Sequence, residues 1–186
     1  MTAGMRPTDE EIYRRMRGGD RSALAELYER LAGRIHRYAL YTSGRRQMAE
    51  EVTQEVFLRL MGSGGRFDQS RGSVEAYAYG LARNLLRRMP KTVSALSEEP
   101  FSGGDLLDEL IDDERTAALY EALAELPVGY RDVVVFCDLE ERSYEEAARL
   151  MQCPVGTVRS RLHRARQLLA AKLAPLNATA FEVGAR

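Results

Sequence analysis

The sequence predicts an all-α fold: two small helical domains joined by an acidic linker. Three observations predict it. Apolar residues recur three and four apart in every patterned stretch and nowhere alternate with period two, so helices are expected and a sheet is not. Gly and Pro punctuate the helical stretches at Gly18-Gly19, Gly44, the Gly62 to Ser73 segment and Pro127. Charge is also segregated along the 186 residues. Residues 1–90 carry 16 basic and 11 acidic side chains, residues 91–115 carry 2 and 8, and residues 116–186 carry 9 of each. The expected organisation is therefore a domain at 1–90, an acidic linker at 91–115, a domain at 116–174 and a frayed tail at 175–186.

Composition narrows the function. A hydrophobic content of 45% supports a packed core, and no apolar run approaches the ~20 residues of a membrane span. The polar, acid-containing start MTAGMRPTDEE is not a signal peptide, so a cytoplasmic protein without membrane insertion is expected. Cys137 and Cys153 are too few for a disulfide framework or a metal cluster. The histidines are His36 and His163, and no phosphate-binding glycine motif occurs. No catalytic residues, metal site or cofactor are expected, and the protein is not read as an enzyme. The net charge of −1 hides the segregation, which is the informative quantity for nucleic acid.

In order, Thr8 with Glu11 can cap a short first helix that stops at Gly18-Gly19. Asp20 opens a longer one with Leu24, Leu27, Leu31, Ile35 and Tyr38 on one side, ending at Ser43-Gly44. The third, Arg46 to Met61, has an inner stripe of Ala49, Val52, Val56 and Leu60 with Phe57 alongside. Its outer face holds Gln47, Glu51, Gln54, Leu58 and Met61, with Glu55 at the border. Exposed leucine and methionine among acids and amides suit a protein partner; a solvated face with one stray leucine is the plainer reading.

A glycine-rich segment leads to VEAYAYGLARNLLRRM, whose expected core side is Val74, Tyr77, Ala78, Leu81 and Leu85. Its opposite face is expected to carry Ala76, Tyr79, Gly80, Arg83 and Arg87, with Asn84 at the edge. Aromatic, Asn and Arg side chains are what stack on unpaired bases and neutralise phosphates. Tyrosines at helical spacing also serve as half-buried core. After the linker, Leu119, Leu123 and Leu126 mark one helix. PVGYRDVVVFC marks another, with Tyr130, Val133, Val134 and Cys137 inward.

The stretch from Ser143 to Lys172 is a helix-turn-helix. Ser143 with Glu146 is a capping box, Ala147, Leu150 and Met151 are its apolar side, and Gln152-Cys153 make the break. From Pro154 a second helix carries Val158, Leu162, Ala165 and Leu169 on one stripe. The opposite side holds Gly156, Ser160, His163, Arg164 and Gln167, flanked by Arg159, Arg161 and Arg166. Between Pro154 and Lys172 there are four Arg, one Lys, one His and no acid. Such a helix suits the major groove, where Arg grips guanine edges or phosphates; a basic solvated face is the alternative.

The order AEEVTQEVFLRL, SVEAYAYGLARNLLRR, acidic linker, LPVGYRDVVVFCDLEERSYEEAARLMQCPVGTVRSRLHRAR resembles the extracytoplasmic-function (ECF) sigma factors of the sigma-70 family. The resemblance covers about residues 20–173. It implies an N-terminal region 2-like domain and a C-terminal region 4-like domain that bind core RNA polymerase and supply promoter recognition. Glu51, Gln54, Glu55 and Leu58 would dock on the clamp coiled coil of the largest polymerase subunit. Tyr77, Tyr79, Arg83, Asn84 and Arg87 would serve the −10 element, and Arg159, Ser160, His163, Arg164 and Gln167 the −35 element. The acidic linker would thread the polymerase channel, and an anti-sigma partner is implied. Tyr77 stands where the family usually has Trp, and the chain has no Trp. The competing expectation is a helix-turn-helix repressor or activator that acts without polymerase, as a dimer on a symmetric operator.

Overall fold

The computed structural model describes residues 6–62, 67–88 and 114–183. Residues 63–66 of the glycine-rich segment, residues 91–113 of the expected linker and residues 184–186 of the expected tail lie outside them. Among the described residues every regular element is helical.

Four helices form the first half: α1 (Asp9–Arg17), α2 (Arg21–Ser43), α3 (Arg46–Met61) and α4 (Val74–Arg88), with a single 3₁₀ turn at Gln69–Arg71. Thr8 and Glu11 make the reciprocal capping box, and the Asp20 carboxylate accepts from the Ser22 and Ala23 amides to start α2. Ser22 and Arg15 on the Asp20 carboxylate hold it well below the usual range. The long α2 is the axis on which α1, α3 and α4 pack. Leu27, Leu31, Ile35 and Tyr38 are fully buried along it, facing Val52, Val56 and Leu60 of α3. The stripes of α2 and α3 are those the 3.6-residue period predicts, except that Leu24 at the start of the α2 stripe is only half-buried.

The second half contains α5 (Glu114–Glu125), α6 (Val128–Val134), α7 (Tyr144–Met151) and α8 (Val155–Val183). α6 runs into one wide π turn at Val135–Leu139. Ser143 and Glu146 cap α7 reciprocally, and Gln152 ends it in the left-handed conformation at φ 51°. Val158, Leu162, Ala165 and Leu169 are buried along α8 against α5, α6 and α7. The helix continues to Val183, past residue 174 where the domain is expected to end.

The halves are not separate bodies. α5 packs on the end of α2, α7 packs on α4, and the π turn packs on α2. Gly44 shows how tight this is. It caps α2 in the left-handed region at φ 66°, and a Cβ there would lie 3.0 Å from the Tyr120 Cβ. The continuous run VVVF is spent on both cores, because the π turn lets Val135 and Phe136 be buried together with Val133 and Val134. The C-terminal helices thus share a core with the first half, where the sequence predicts two domains joined by a linker.

That packing also changes α4. Ala76 and Tyr79, expected on its outer face, are buried, while Tyr77 and Leu81, expected in the core, are half-buried. The physical reason is that α4 is covered from two sides, by α2 and α3 and by the second half of the chain.

Candidate nucleic-acid interface

The helix-turn-helix presents its predicted face. Arg159, Ser160, His163, Arg164 and Gln167 are all exposed on α8, opposite the buried stripe. Their conformations are partly set by neighbours. The Arg159 guanidinium lies 5.7 Å from the centre of the Tyr144 ring on α7, a cation–π distance. Gln167 Nε2 is 3.2 Å from His163 Nε2, one turn apart. The Ser160 hydroxyl donates to the Thr157 carbonyl at 3.1 Å. Arg166 is diverted, with its Nε and Nη2 donating to the two Asp138 carboxylate oxygens at 3.1 and 2.6 Å. Lys172 pairs with Glu125. Arg161 is half-buried with its guanidinium over Gly129, where a Cβ would lie 3.5 Å from it. Arg159 and Arg164 are therefore the exposed arginines of α8 that no acid engages among the described residues.

The α4 set is divided. Asn84 and Arg87 are exposed, and Tyr77 is half-buried with its ring 5.7 Å from that of Phe67. Tyr79 and Arg83 instead face the second half of the chain. The Tyr79 hydroxyl donates to Glu140 at 3.2 Å, and its ring meets Phe136 edge-on at 4.9 Å. Arg83 Nε lies 2.6 Å from an Asp132 oxygen, and the Tyr38 hydroxyl donates to the other oxygen at 2.7 Å. Tyr38 is fully buried and stacks on Phe136 at 5.4 Å. Burial raises the Asp132 and Glu140 carboxyls above the usual carboxylate range, against the pull of Arg83 on the first and Arg142 on the second. Burial also raises the Tyr38 and Tyr79 hydroxyls.

A third surface lies on α3. Glu51, Gln54 and Leu58 are exposed and Glu55 is half-buried, where it accepts from Arg59 at 2.7 Å. Leu58 is 58% exposed, Tyr28 49% and Met61 40%. With Leu24 and Phe57 they line one open apolar groove between α2 and α3, bordered by Gln54. Sequence reasoning missed Tyr28, which sits one turn after Leu24 at the edge of the α2 stripe. It also missed Tyr144 and Asp138, which position Arg159 and Arg166; no local signal points to the Asp138 pairing, because it spans 28 residues.

Among the described residues no cluster of His, Cys, Asp or Glu is placed to hold a metal ion, and no helix is long and apolar enough to cross a membrane. The three surfaces can hold a protein through apolar contact, neutralise phosphates and read base edges.

Comparison with known proteins places these surfaces in context. The family Sigma-70 region 2 matches residues 27–92 and the family Sigma-70, region 4 matches residues 116–169. The ECF RNA polymerase sigma-E factor of Escherichia coli is 32% identical over 91% of this chain and 96% of its own length. The RNA polymerase sigma-H factor of Pseudomonas aeruginosa is 32% identical over 90% and 95%. The ECF RNA polymerase sigma factor SigE of Mycolicibacterium smegmatis is 36% identical over 81% of this chain, which spans 63% of that relative. Among solved structures the fold resembles CnrH bound to the cytosolic domain of CnrY, with a TM-score of 0.66 at 21% identity over 90% and 97% of the two chains. It also resembles the sigma factor RpoE bound to the anti-sigma factor NepR from Bartonella quintana, with a TM-score of 0.56 at 20% identity over 81% and 96%.

Proposed function

Since the chain belongs to the ECF sigma factors of bacterial RNA polymerase, we propose that its three surfaces divide promoter recognition between them. The α3 groove, with Glu51, Gln54, Glu55 and Leu58, docks the polymerase clamp coiled coil. The α8 face, through Arg159, Ser160, His163, Arg164 and Gln167, reads the −35 duplex in the major groove. The α4 face, through Tyr77, Tyr79, Arg83, Asn84 and Arg87, holds the opened −10 strand once it is uncovered. The protein is an initiation factor acting in the cytoplasm and does not itself catalyse a reaction. Its expected partners are core polymerase, promoter DNA and an anti-sigma factor.

The mechanism is differential binding. Opening the duplex costs on the order of 1.4 kcal/mol per stacked step. Phosphate contacts and stacking of captured bases offset that cost, at about 1–3 kcal/mol per stacked base. Neither domain offers enough contacts to do this alone, so opening requires polymerase to hold both on one promoter.

The observation that carries this reading is the solvent-facing apolar groove at Leu58, Met61 and Tyr28, on the opposite side of α3 from a complete core. Reconstituted transcription with core polymerase on genomic fragments tests the reading: specific start sites are expected only when both are present. A protein that ignores core polymerase and footprints a palindrome by itself would overturn it.

A further inference from the structure

Taking α8 as the −35 reader, on which this inference rests, its grip on duplex depends on which of its cations can reach a phosphate. Between Pro154 and Lys172 the helix carries no acid of its own. The acids that meet it come from other elements. Asp138 of the π turn engages Arg166, and Glu125 at the end of α5 engages Lys172. Both neutralised cations lie in the later part of the helix, and Arg159, near its start, meets an aromatic ring instead.

Arg159 and Arg166 make the informative pair. They are seven residues apart, so on an α-helix they fall within roughly 20° of one line. Their partners place that line on the side facing α7 and the π turn. In a helix-turn-helix the first helix crosses the DNA backbone, which puts this edge of α8 beside the phosphates. The hydrogen bonds and charge of Asp138 raise the Arg166 guanidinium above its usual value, with smaller contributions from Tyr144 and Cys137. Tyr144 therefore lies near both arginines.

The two partners differ in kind. Tyr144 offers Arg159 a ring face at 5.7 Å, which leaves the N–H donors of the guanidinium for DNA. Asp138 accepts from Arg166 Nε and Nη2 on separate carboxylate oxygens at 3.1 and 2.6 Å, which occupies donors and cancels the charge. Yet the Arg166 side chain is 58% exposed and that of Asp138 26%. The pair sits on the surface that a duplex approaches, and exposed pairs contribute little to folding.

We propose that Asp138 limits the strength of duplex binding: by holding Arg166 in a neutral pair it withholds one phosphate contact from the edge of α8. Contact with −35 DNA then rests on Arg159 and Arg164. A phosphate contact carries no sequence information, so the withheld one would strengthen binding to every duplex alike. Without it the factor dissociates more readily from non-promoter DNA, whose sites vastly outnumber promoters.

The test measures fluorescence anisotropy of the full chain on two short duplexes. One carries the −35 element of a promoter found by reconstituted transcription, and the other a scrambled sequence. Salt is varied between about 50 and 200 mM. Asp138→Asn keeps the shape and removes the charge. It should bind both duplexes several-fold tighter at the low end, with the ratio between them unchanged. The slope of log K against log salt should steepen by about 0.9, the value of one phosphate. Asp138→Glu restores the charge and should return both quantities to wild type. Asp138→Asn combined with Arg166→Gln should show the wild-type slope, because the gain requires Arg166. Thermal melts establish that each variant is folded, and Asp138→Ser takes the place of Asp138→Asn if the latter is not. A folded variant with unchanged or weaker binding, or a gain that survives the loss of Arg166, would overturn the assignment. Arg164→Ala separates the two levels. Weaker binding there with no gain in Asp138→Asn counts against Asp138 alone, whereas no change in either removes α8 from the duplex as well.

Discussion

At the scale of single residues, the C-terminal interface is sorted by which arginines are already committed. Arg166 is gripped by Asp138 and Arg161 lies over Gly129, whereas Arg159 rests on Tyr144 and Arg164 stands in solvent. Arg164→Ala is therefore expected to weaken −35-dependent transcription by about 1–3 kcal/mol, roughly 5- to 150-fold. Unchanged output from a −35-dependent promoter would remove Arg164 from the reading face. The half-buried Cys137 thiol makes a second residue-level case. Burial, with Asp138 nearby, pushes it up to about 11. In a Cys153→Ser background, alkylation of Cys137 at pH 8 should run more than tenfold slower than that of a free thiol with a pKa of ~8.5. The rate should climb until the pH passes about 11. A rate equal to that of a free thiol at pH 8 would contradict the packing around the π turn.

Among the elements, α3 is the clearest case of a helix serving two masters. Ala49, Val52, Val56 and Leu60 are all fully buried on one side, and Leu58 and Met61 are exposed on the other. The pair Leu58→Asp and Gln54→Ala touches only the outer side. It should abolish co-purification with core polymerase while leaving the thermal melt within about 2 °C, since exposed changes away from the core are usually within ±0.5 kcal/mol. Undiminished binding to core would mean the groove has another occupant. The apolar stripes of α2, α3 and α8 were legible in the sequence because each of these helices has one apolar side. α4 was not. Val74, Ala76, Tyr77, Ala78, Tyr79, Leu81, Ala82 and Leu85 surround it with apolar or aromatic side chains, the pattern of a helix covered from more than one direction. Periodicity cannot rank two buried faces, and it assigned the buried Tyr79 to the outer one.

For the whole molecule, the consequence is a stability that responds to protons. Burial raises Asp132, faced by Tyr38, Arg83 and Arg131, and it raises Glu140, faced by Tyr79, Arg142 and Arg37. When the chain unfolds, both carboxyls return toward the ordinary range. The folded form therefore binds more protons than the unfolded one. Their contribution to stability is full below the ordinary carboxylate range and is lost as pH rises through the raised values. The melting temperature of the wild type is expected to fall relative to that of Asp132→Asn as the pH rises from 4 to 7. Parallel pH profiles for the two proteins would contradict a raised Asp132 carboxyl.

The sequence alone determined the helices, their caps at Thr8 and Ser143, the turn at Gln152 and the exposed basic face of α8. All of these depend on residues within a turn or two of one another, and spacing records such relations directly. It also carried the family, because two motifs in order on one chain are a statement about sequence. Only the tertiary structure decided that Tyr38, Arg83 and Asp132 share a buried site, that Tyr28 completes the α3 groove, and that α4 is covered by the second half. Those contacts join residues tens of positions apart, and their energies come from burial and charge, which no local pattern encodes.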